Sequence, residues 1–227
     1  MHCHQLTTVY GLTESSPGMT QTRTGDSLQT RVTTVGRALP HTEIRIVNPK
    51  TGAVVPRGTI GEICARGYLV MKSYYNDPKS TAEAIEPDGW LHSSDLGVMD
   101  EEGYVRVTGR IKELIIRGGE NIYPREIEEF LHTCPAIADV QVIGIPDAKY
   151  GEEVMAWIKL KRGTTFTEQD VKDFCKGQIA NYKIPRYVRF VDSFPMTGSG
   201  KVQKFRMREI SMAEFSANKG AGAMVTA

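Results

Sequence analysis

The glycine-rich loop Pro195-Met196-Thr197-Gly198-Ser199-Gly200-Lys201 ends in a Gly-Lys pair, the arrangement that phosphate-cradling loops use. Two positions depart from the Walker pattern. Pro195 stands where a glycine is required five residues before Gly200, and Val202 replaces the Ser or Thr that would bind magnesium. What remains is a flexible loop presenting one cation, Lys201, and an ordinary solvated lysine would look the same. Gly118-Gly119 follows the apolar run Leu114-Ile115-Ile116, and its missing side chains either admit a ligand or make a tight turn. Tyr10-Gly11-Leu12-Thr13-Glu14 gathers a ring, a hydroxyl and a carboxylate in one short stretch. That is a plausible nucleotide and Mg²⁺ constellation, since Mg²⁺ prefers carboxylate and phosphate oxygen, and equally an ordinary helix start.

The elements that must hold these groups change character along the chain. The first half is punctuated by Gly and Pro, with alternating runs at Glu43–Val47, Gly61–Ala65 and Tyr104–Val107 that read as strands. Asp77-Pro78 places a cap and a first-turn proline before Lys79–Ala84, a short helix. Beyond residue 110, Pro124 opens an amphipathic helix with Ile127, Phe130 and Leu131 on one face. Strands follow at Val140–Ile143 and Val154–Leu160, and a second helix begins near Thr167, with Asp170 placed to complete its cap. The order predicts an α+β fold with a mostly β segment over 1–109, a small α+β domain over 110–210, and a weakly ordered tail over 211–227.

Composition narrows the function classes. The 28 Lys plus Arg nearly balance 27 Asp plus Glu, so no bulk field draws nucleic acid or an anionic membrane, and any phosphate grip is local. No run of about 18 apolar residues offers a transmembrane segment, and Met1–Gln5 lacks a signal-peptide pattern, which makes the cytoplasm the default compartment. Cys3, Cys64, Cys134 and Cys175 form no CxxC pair and read as free thiols. His2-Cys3-His4 carries soft-metal ligands, but a frayed terminus rarely fixes them.

Five segments, taken in order, carry a resemblance. Tyr10-Gly-Leu-Thr-Glu14, Gly61-Glu-Ile with Arg66-Gly67, Trp90-Leu-His-Ser-Ser-Asp95, Gly109-Arg-Ile-Lys through Arg117-Gly-Gly-Glu-Asn-Ile-Tyr-Pro124, and Pro195–Lys201 resemble the core motifs of the AMP-forming adenylating enzymes. That family includes acyl-CoA synthetases, luciferases and nonribosomal-peptide adenylation domains. The wording Arg117–Glu128 looks most like the fatty and medium-chain acyl-CoA synthetase branch. The resemblance implies the strand-rich end of a large N-terminal adenylating domain followed by a small mobile C-terminal α+β domain. It also implies an acid–thiol ligase: a carboxylic acid, expected to be a fatty acid, reacts with ATP to give an acyl-adenylate, and the acyl group then passes to CoA.

By motif, Tyr10 would stack on adenine with Gly11 beside it, Thr13 would hydrogen-bond the α-phosphate, and Glu14 would hold Mg²⁺. Asp95 would take the ribose hydroxyls, and Arg110 would contact ribose and phosphate. Lys201 would reach the acyl carboxylate and α-phosphate, where a preorganised cation stabilises the transition state more than the ground state. Lys112 matches the hinge, and Gly118 and Gly119 would flank the pantetheine channel after domain rotation. Two departures stand out: Ser93-Ser94-Asp95 replaces Thr-Gly-Asp, placing a Cβ where glycine is usual, and Ser73-Tyr74 replaces Gly-Tyr. The phosphate loop of the family, ending in Pro-Lys, lies upstream of Met1 in such enzymes, so the resemblance is to a C-terminal fragment. The competing readings are an inactive nucleotide- or CoA-binding fragment, one half of a split enzyme whose N-terminal half is encoded separately, and an aryl-acid–CoA ligase.

Overall fold

The structure is a computed structural model that describes residues 5–222, with side chains through residue 215. His2-Cys3-His4 lies outside the described residues. The chain divides into two compact units, Met1–Lys112 and Glu113–Ala227.

In the first unit, the short strands β1 (Val9–Tyr10), β2 (Thr20–Gln21) and β3 (Arg37–Ala38) form a three-stranded antiparallel sheet, with helix α1 (Leu28–Thr33) between the last two. A four-stranded antiparallel sheet follows from β4 (Thr42–Val47), β5 (Gly61–Gly67), β6 (Leu91–Met99) and β7 (Val105–Arg110), in that order. Helix α2 (Pro78–Ala84) starts as its sequence requires: the Asp77 carboxylate accepts from the Ser80 N–H, and Pro78 occupies the first turn. Ile46, Ile63, Met99 and Val105 make one apolar cluster, Met19, Ala65 and Leu69 another, and Tyr10 packs against both.

The second unit is built on β8 (Ile115–Arg117), β9 (Glu120–Ile122), β10 (Ile137–Asp147), β11 (Gly151–Leu160) and β12 (Tyr187–Phe190). All pairings are antiparallel except β11 with β12. Helices α3 (Pro124–His132) and α4 (Glu168–Cys175) cover one face of the sheet, where Ile127, Leu131, Val171 and Cys175 meet Val140, Val154, Ala156 and Ile158. The cap of α4 is reciprocal: the Asp170 N–H donates to the Thr167 hydroxyl, and the Thr167 N–H donates back to the Asp170 carboxylate. Val154, Ala156 and Ile158 alternate inward as their spacing predicts, yet Met155 and Trp157 are buried too. Helix α5 (Lys204–Gly222) covers that opposite face, packing Met207 against Ile143, Ile145, Met155 and Trp157.

Helix α5 also corrects the expected tail: residues 211–222 continue the helix. Its inward stripe of Met207, Ile210, Ser211 and Phe215 is interrupted by a serine, which hides the apolar period. Ser211 is buried because its hydroxyl accepts from the Trp157 indole N–H at 3.2 Å and donates to the Met207 carbonyl. Among the described residues, no helix is long and apolar enough to cross a membrane.

Leu131 is fully buried between α3 and the sheet. Leu131→Ala is expected to lower the unfolding free energy by about 2–5 kcal/mol in a denaturant titration; a loss well under about 1 kcal/mol would mean the α3 face does not hold this unit together.

Candidate active site

Asp95 sits where strand β6 leaves its regular course. Glu62 pairs with Leu96 and Cys64 with His92, so the three residues Ser93, Ser94 and Asp95 lie opposite the single residue Ile63. Such a bulge re-aims side chains. Here it turns a nearly buried carboxylate toward two partners: Asp95 Oδ2 accepts from the Tyr10 hydroxyl at 2.9 Å, and Oδ1 pairs with Arg110 Nε at 3.0 Å. Arg110 is the register partner of Asp95 on β7, and most of its side chain remains exposed. Burial, followed by the charge of Asp95, pushes the Tyr10 phenol well above its usual range, so it stays protonated and donates.

The bulge carries its own constraints. The Asp95 N–H donates to the Ser93 hydroxyl at 3.0 Å, and the Ser94 N–H donates to Glu62 Oε1 at 2.9 Å. Ser94 has φ +59°, the left-handed region that disfavours a Cβ, at the place where the resemblance leads one to expect glycine.

Thr13 and Glu14 lie on a single 3₁₀ turn, Thr13–Ser15, rather than at the start of a longer helix. Gly11 is needed just before it, because a Cβ there would lie 1.8 Å from the Pro17 carbonyl oxygen. Thr13 is exposed; Glu14 is half-buried, and its Oε1 accepts from the Tyr74 hydroxyl at 2.9 Å. That hydrogen bond is the main reason the Tyr74 phenol is raised above its usual range. The other Glu14 oxygen accepts no hydrogen bond from a described residue, which fits a Mg²⁺ ion held by one carboxylate plus substrate phosphates and water.

In the second unit, Gly118 and Gly119 form the two-residue turn of the β8–β9 hairpin, with Arg117 opposite Glu120. Their φ values of +59° and +91° match the turn that such a short hairpin demands. The hairpin is braced by Glu153, 1% exposed, which receives two hydrogen bonds from the Arg117 guanidinium and one from Arg186. Arg117 also lies over the Tyr150 ring, and the Gly118 N–H donates to the Tyr150 carbonyl at 2.8 Å.

The Lys201 loop proves more closed than its composition suggests. The Thr197 N–H donates to the Lys201 carbonyl, the Lys201 N–H donates back to the Thr197 hydroxyl, and Met196 bridges Val202. Lys201 is exposed, and among the described residues no carboxylate lies within ion-pairing distance of its ammonium. Three residues on, Lys204 bridges Glu113 at 3.1 Å and Glu128 at 2.7 Å. Lys112 lies exposed in the 3₁₀ turn Ile111–Glu113, at the end of the first unit.

Thus Tyr10, Asp95 and Arg110 form one bonded cluster, Thr13 and Glu14 lie in the same unit, and Gly118, Gly119 and Lys201 belong to the other. Sequence reasoning missed Glu62, Tyr74 and Lys204. Tyr74 and Glu62 had a signal, since each lies in a motif quoted from the sequence; Lys204 is recognisable only through its partners.

Two outcomes follow. Ser94→Val, which adds a β-branch at positive φ, is expected to cost about 1–2 kcal/mol in denaturant stability, whereas Ser94→Gly is expected to be neutral or better; equal losses would remove backbone strain as the reason. The folded state binds the Tyr10 proton more tightly than the unfolded chain, whose tyrosine titrates near 10. That contribution is complete below pH 10 and falls as pH rises beyond it, so Tyr10→Phe should lose less stability than the parent chain above pH 10. Parallel stability profiles would contradict the assignment.

The geometry can be set beside known proteins. The family model described as AMP-binding enzyme matches residues 1–75, and the model for the AMP-binding enzyme C-terminal domain matches residues 126–201. A putative acyl-CoA synthetase, YngI of Bacillus subtilis (strain 168), is 58% identical over 216 residues, covering 95% of this chain and 39% of YngI. ATP-bound MatB from Rhodopseudomonas palustris superimposes with a TM-score of 0.85 at 39% identity, over 90% of this chain and 40% of MatB. The o-succinylbenzoate CoA synthetase MenE from Bacillus subtilis, in complex with an acyl-adenylate intermediate, gives 0.81 at 33% identity, over 91% of this chain and 42% of MenE. The chain therefore spans about two fifths of the length of these proteins. Both family models, matched in order along one chain, span its Tyr10, Gly61 and Lys201 motifs, and the chain belongs to the AMP-binding enzyme family.

Proposed function

We propose that the protein to which this chain belongs is an AMP-forming acid–thiol ligase that activates a fatty acid through its acyl-adenylate and delivers the acyl group to CoA. The observation that carries the reading is the Asp95 carboxylate, fixed at a bulge between the Tyr10 hydroxyl and Arg110. In this reading the Asp95 carboxylate, held beside the Tyr10 hydroxyl and Arg110, accepts from the ribose hydroxyls of ATP. In this reading Tyr10 and Gly11 flank the adenine and Arg110, largely exposed, reaches the ribose and phosphate side. Thr13 donates its hydroxyl to the α-phosphate.

Glu14 holds Mg²⁺, which when bound neutralises phosphate charge. Lys201 supplies a cation to the charge that gathers as the carboxylate attacks the α-phosphorus; pyrophosphate leaves and the acyl–phosphate bond forms. Lys112 is the hinge, and Gly118 and Gly119 leave room for the pantetheine arm of CoA in the thioester step. The name of YngI supports an acyl substrate. MenE, which carries o-succinylbenzoate, supports an aryl acid as the second reading.

Calorimetry of the chain with a non-hydrolysable acyl-adenylate mimic is expected to show binding, weakened at least tenfold by Asp95→Ala. No binding, or binding indifferent to Asp95, would overturn the nucleotide role. In the complete ligase, Lys201→Ala should slow pyrophosphate release about a hundredfold or more, and comparing fatty with aryl acids as substrates separates the two readings.

A further inference from the structure

Strand β5 and the start of β6 bring together three metal-ligating side chains that the adenylation chemistry does not use. Cys64 and His92 are register partners across the two strands, and Glu62 precedes Cys64 by two residues on the same face of β5. One donor atom from each of Glu62, Cys64 and His92 lies within 4.8 Å of the others. We propose that Glu62, Cys64 and His92 form a binding site for a borderline-soft divalent cation of the zinc class.

The spacing is close to that of a tetrahedral centre. Bonds of about 2.3 Å to sulfur and about 2.0–2.1 Å to nitrogen or oxygen imply donor separations of roughly 3.6 Å and 3.3 Å. The observed separations are 3.5 Å from Cys64 Sγ to His92 Nδ1 and 2.9 Å from His92 Nδ1 to Glu62 Oε2. Opening the second by a few tenths of an ångström seats the ion.

The surroundings are those of a ligating histidine. His92 Nε2 faces Glu86 Oε1 at 2.9 Å, and Glu86 is itself held by Arg45. A carboxylate on the remote ring nitrogen is how metal-bound histidines are oriented. His92 Nδ1 faces Glu62 Oε2 at 2.9 Å, near enough for one cation to be held by both. Glu62 is fixed by the Ser94 N–H on its other oxygen, and Val47 and Trp90 pack around the Cys64 thiol. His92 keeps a quarter of its side chain exposed, which provides an entry.

Charge balances as well. A thiolate and the carboxylates of Glu62 and Glu86 carry three negative charges, which a divalent ion and Arg45 neutralise. Loading displaces the Cys64 thiol proton, because the thiolate is the form that binds metal. Sulfur and imidazole select against Mg²⁺, which separates this site chemically from the oxygen site at Glu14.

The test uses the full chain with Cys3→Ser, which removes the thiol of the terminal His2-Cys3-His4 triplet. Titrated Co²⁺ is expected to give one equivalent of thiolate-to-cobalt charge-transfer absorption that Zn²⁺ displaces and Mg²⁺ does not. Adding Cys64→Ser should abolish the band, and adding His92→Gln should weaken binding at least tenfold. Should either variant fail to fold, X-ray absorption on the Zn²⁺-loaded Cys3→Ser chain decides the question. One sulfur with nitrogen and oxygen neighbours supports the site; two sulfurs, as from Cys134 with Cys175, or none, would overturn it, as would absence of the cobalt band.

Discussion

The first unit depends on keeping one carboxylate charged in a place that excludes most water. Asp95 is 5% exposed, and an unpaired buried charge would cost several kcal/mol and drive the group to its neutral form. The fold meets that demand with partners from both sides: the phenol of Tyr10, whose burial keeps its proton in place, and the guanidinium of Arg110 across the strand pair. A flat antiparallel ladder would point Asp95 along the regular alternation of β6. The three-against-one bulge opposite Ile63 is what allows it to meet both partners, and the strained φ of Ser94 is the local consequence. Backbone, burial and protonation at this point are one constraint.

The same device recurs. Glu62 is nearly buried and braces the bulge by accepting the Ser94 N–H, while Glu153 in the second unit braces the Gly118–Gly119 hairpin through Arg117 and Arg186. In each case an acid inside the sheet holds a bulge or a turn in place through its hydrogen bonds. Removing one partner of such a pair leaves the other charge uncompensated, so these acids couple loop geometry to overall stability. Tyr74 on Glu14 and Lys204 on Glu113 and Glu128 serve the Thr13–Ser15 turn and the segment after Lys201 in milder form, because they lie nearer solvent.

Legibility in the sequence followed the locality of the cause. Asp77-Pro78, Pro124 and Thr167 with Asp170 announced their helices because caps act within one turn. Strands β4, β5 and β11 were readable from the alternation of their sequences, although β5 and β11 prove to be buried on both faces. Strand β6 was not: Leu91-His-Ser-Ser-Asp-Leu-Gly-Val-Met breaks its alternation at the bulge, and its polar residues are satisfied by strands distant in sequence. Helix α5 was hidden by Ser211, a polar residue made tolerable inside by the indole of Trp157. Of the candidate site, the residue types and their order were legible in the motifs. The partners were not, because Tyr10 and Asp95 are 85 positions apart and nothing local links them.

Lys201 shows why partners matter as much as types. Most of the arginines named above are already committed: Arg45 to Glu86, Arg66 to Glu43, Arg117 and Arg186 to Glu153. A cation so paired contributes a fixed interaction and has little attraction left for a charge that develops elsewhere. Lys201 is held differently. Its backbone is closed into a turn by Thr197 at both N–H and carbonyl, while among the described residues its ammonium meets no carboxylate. A lysine whose main chain is ordered and whose charge is uncommitted retains its full Coulomb attraction for an incoming anion, because no neighbouring acid must first be displaced. With the whole chain near neutrality, the phosphate role proposed for Lys201 rests on this uncommitted ammonium among the described residues, and on no general basic field.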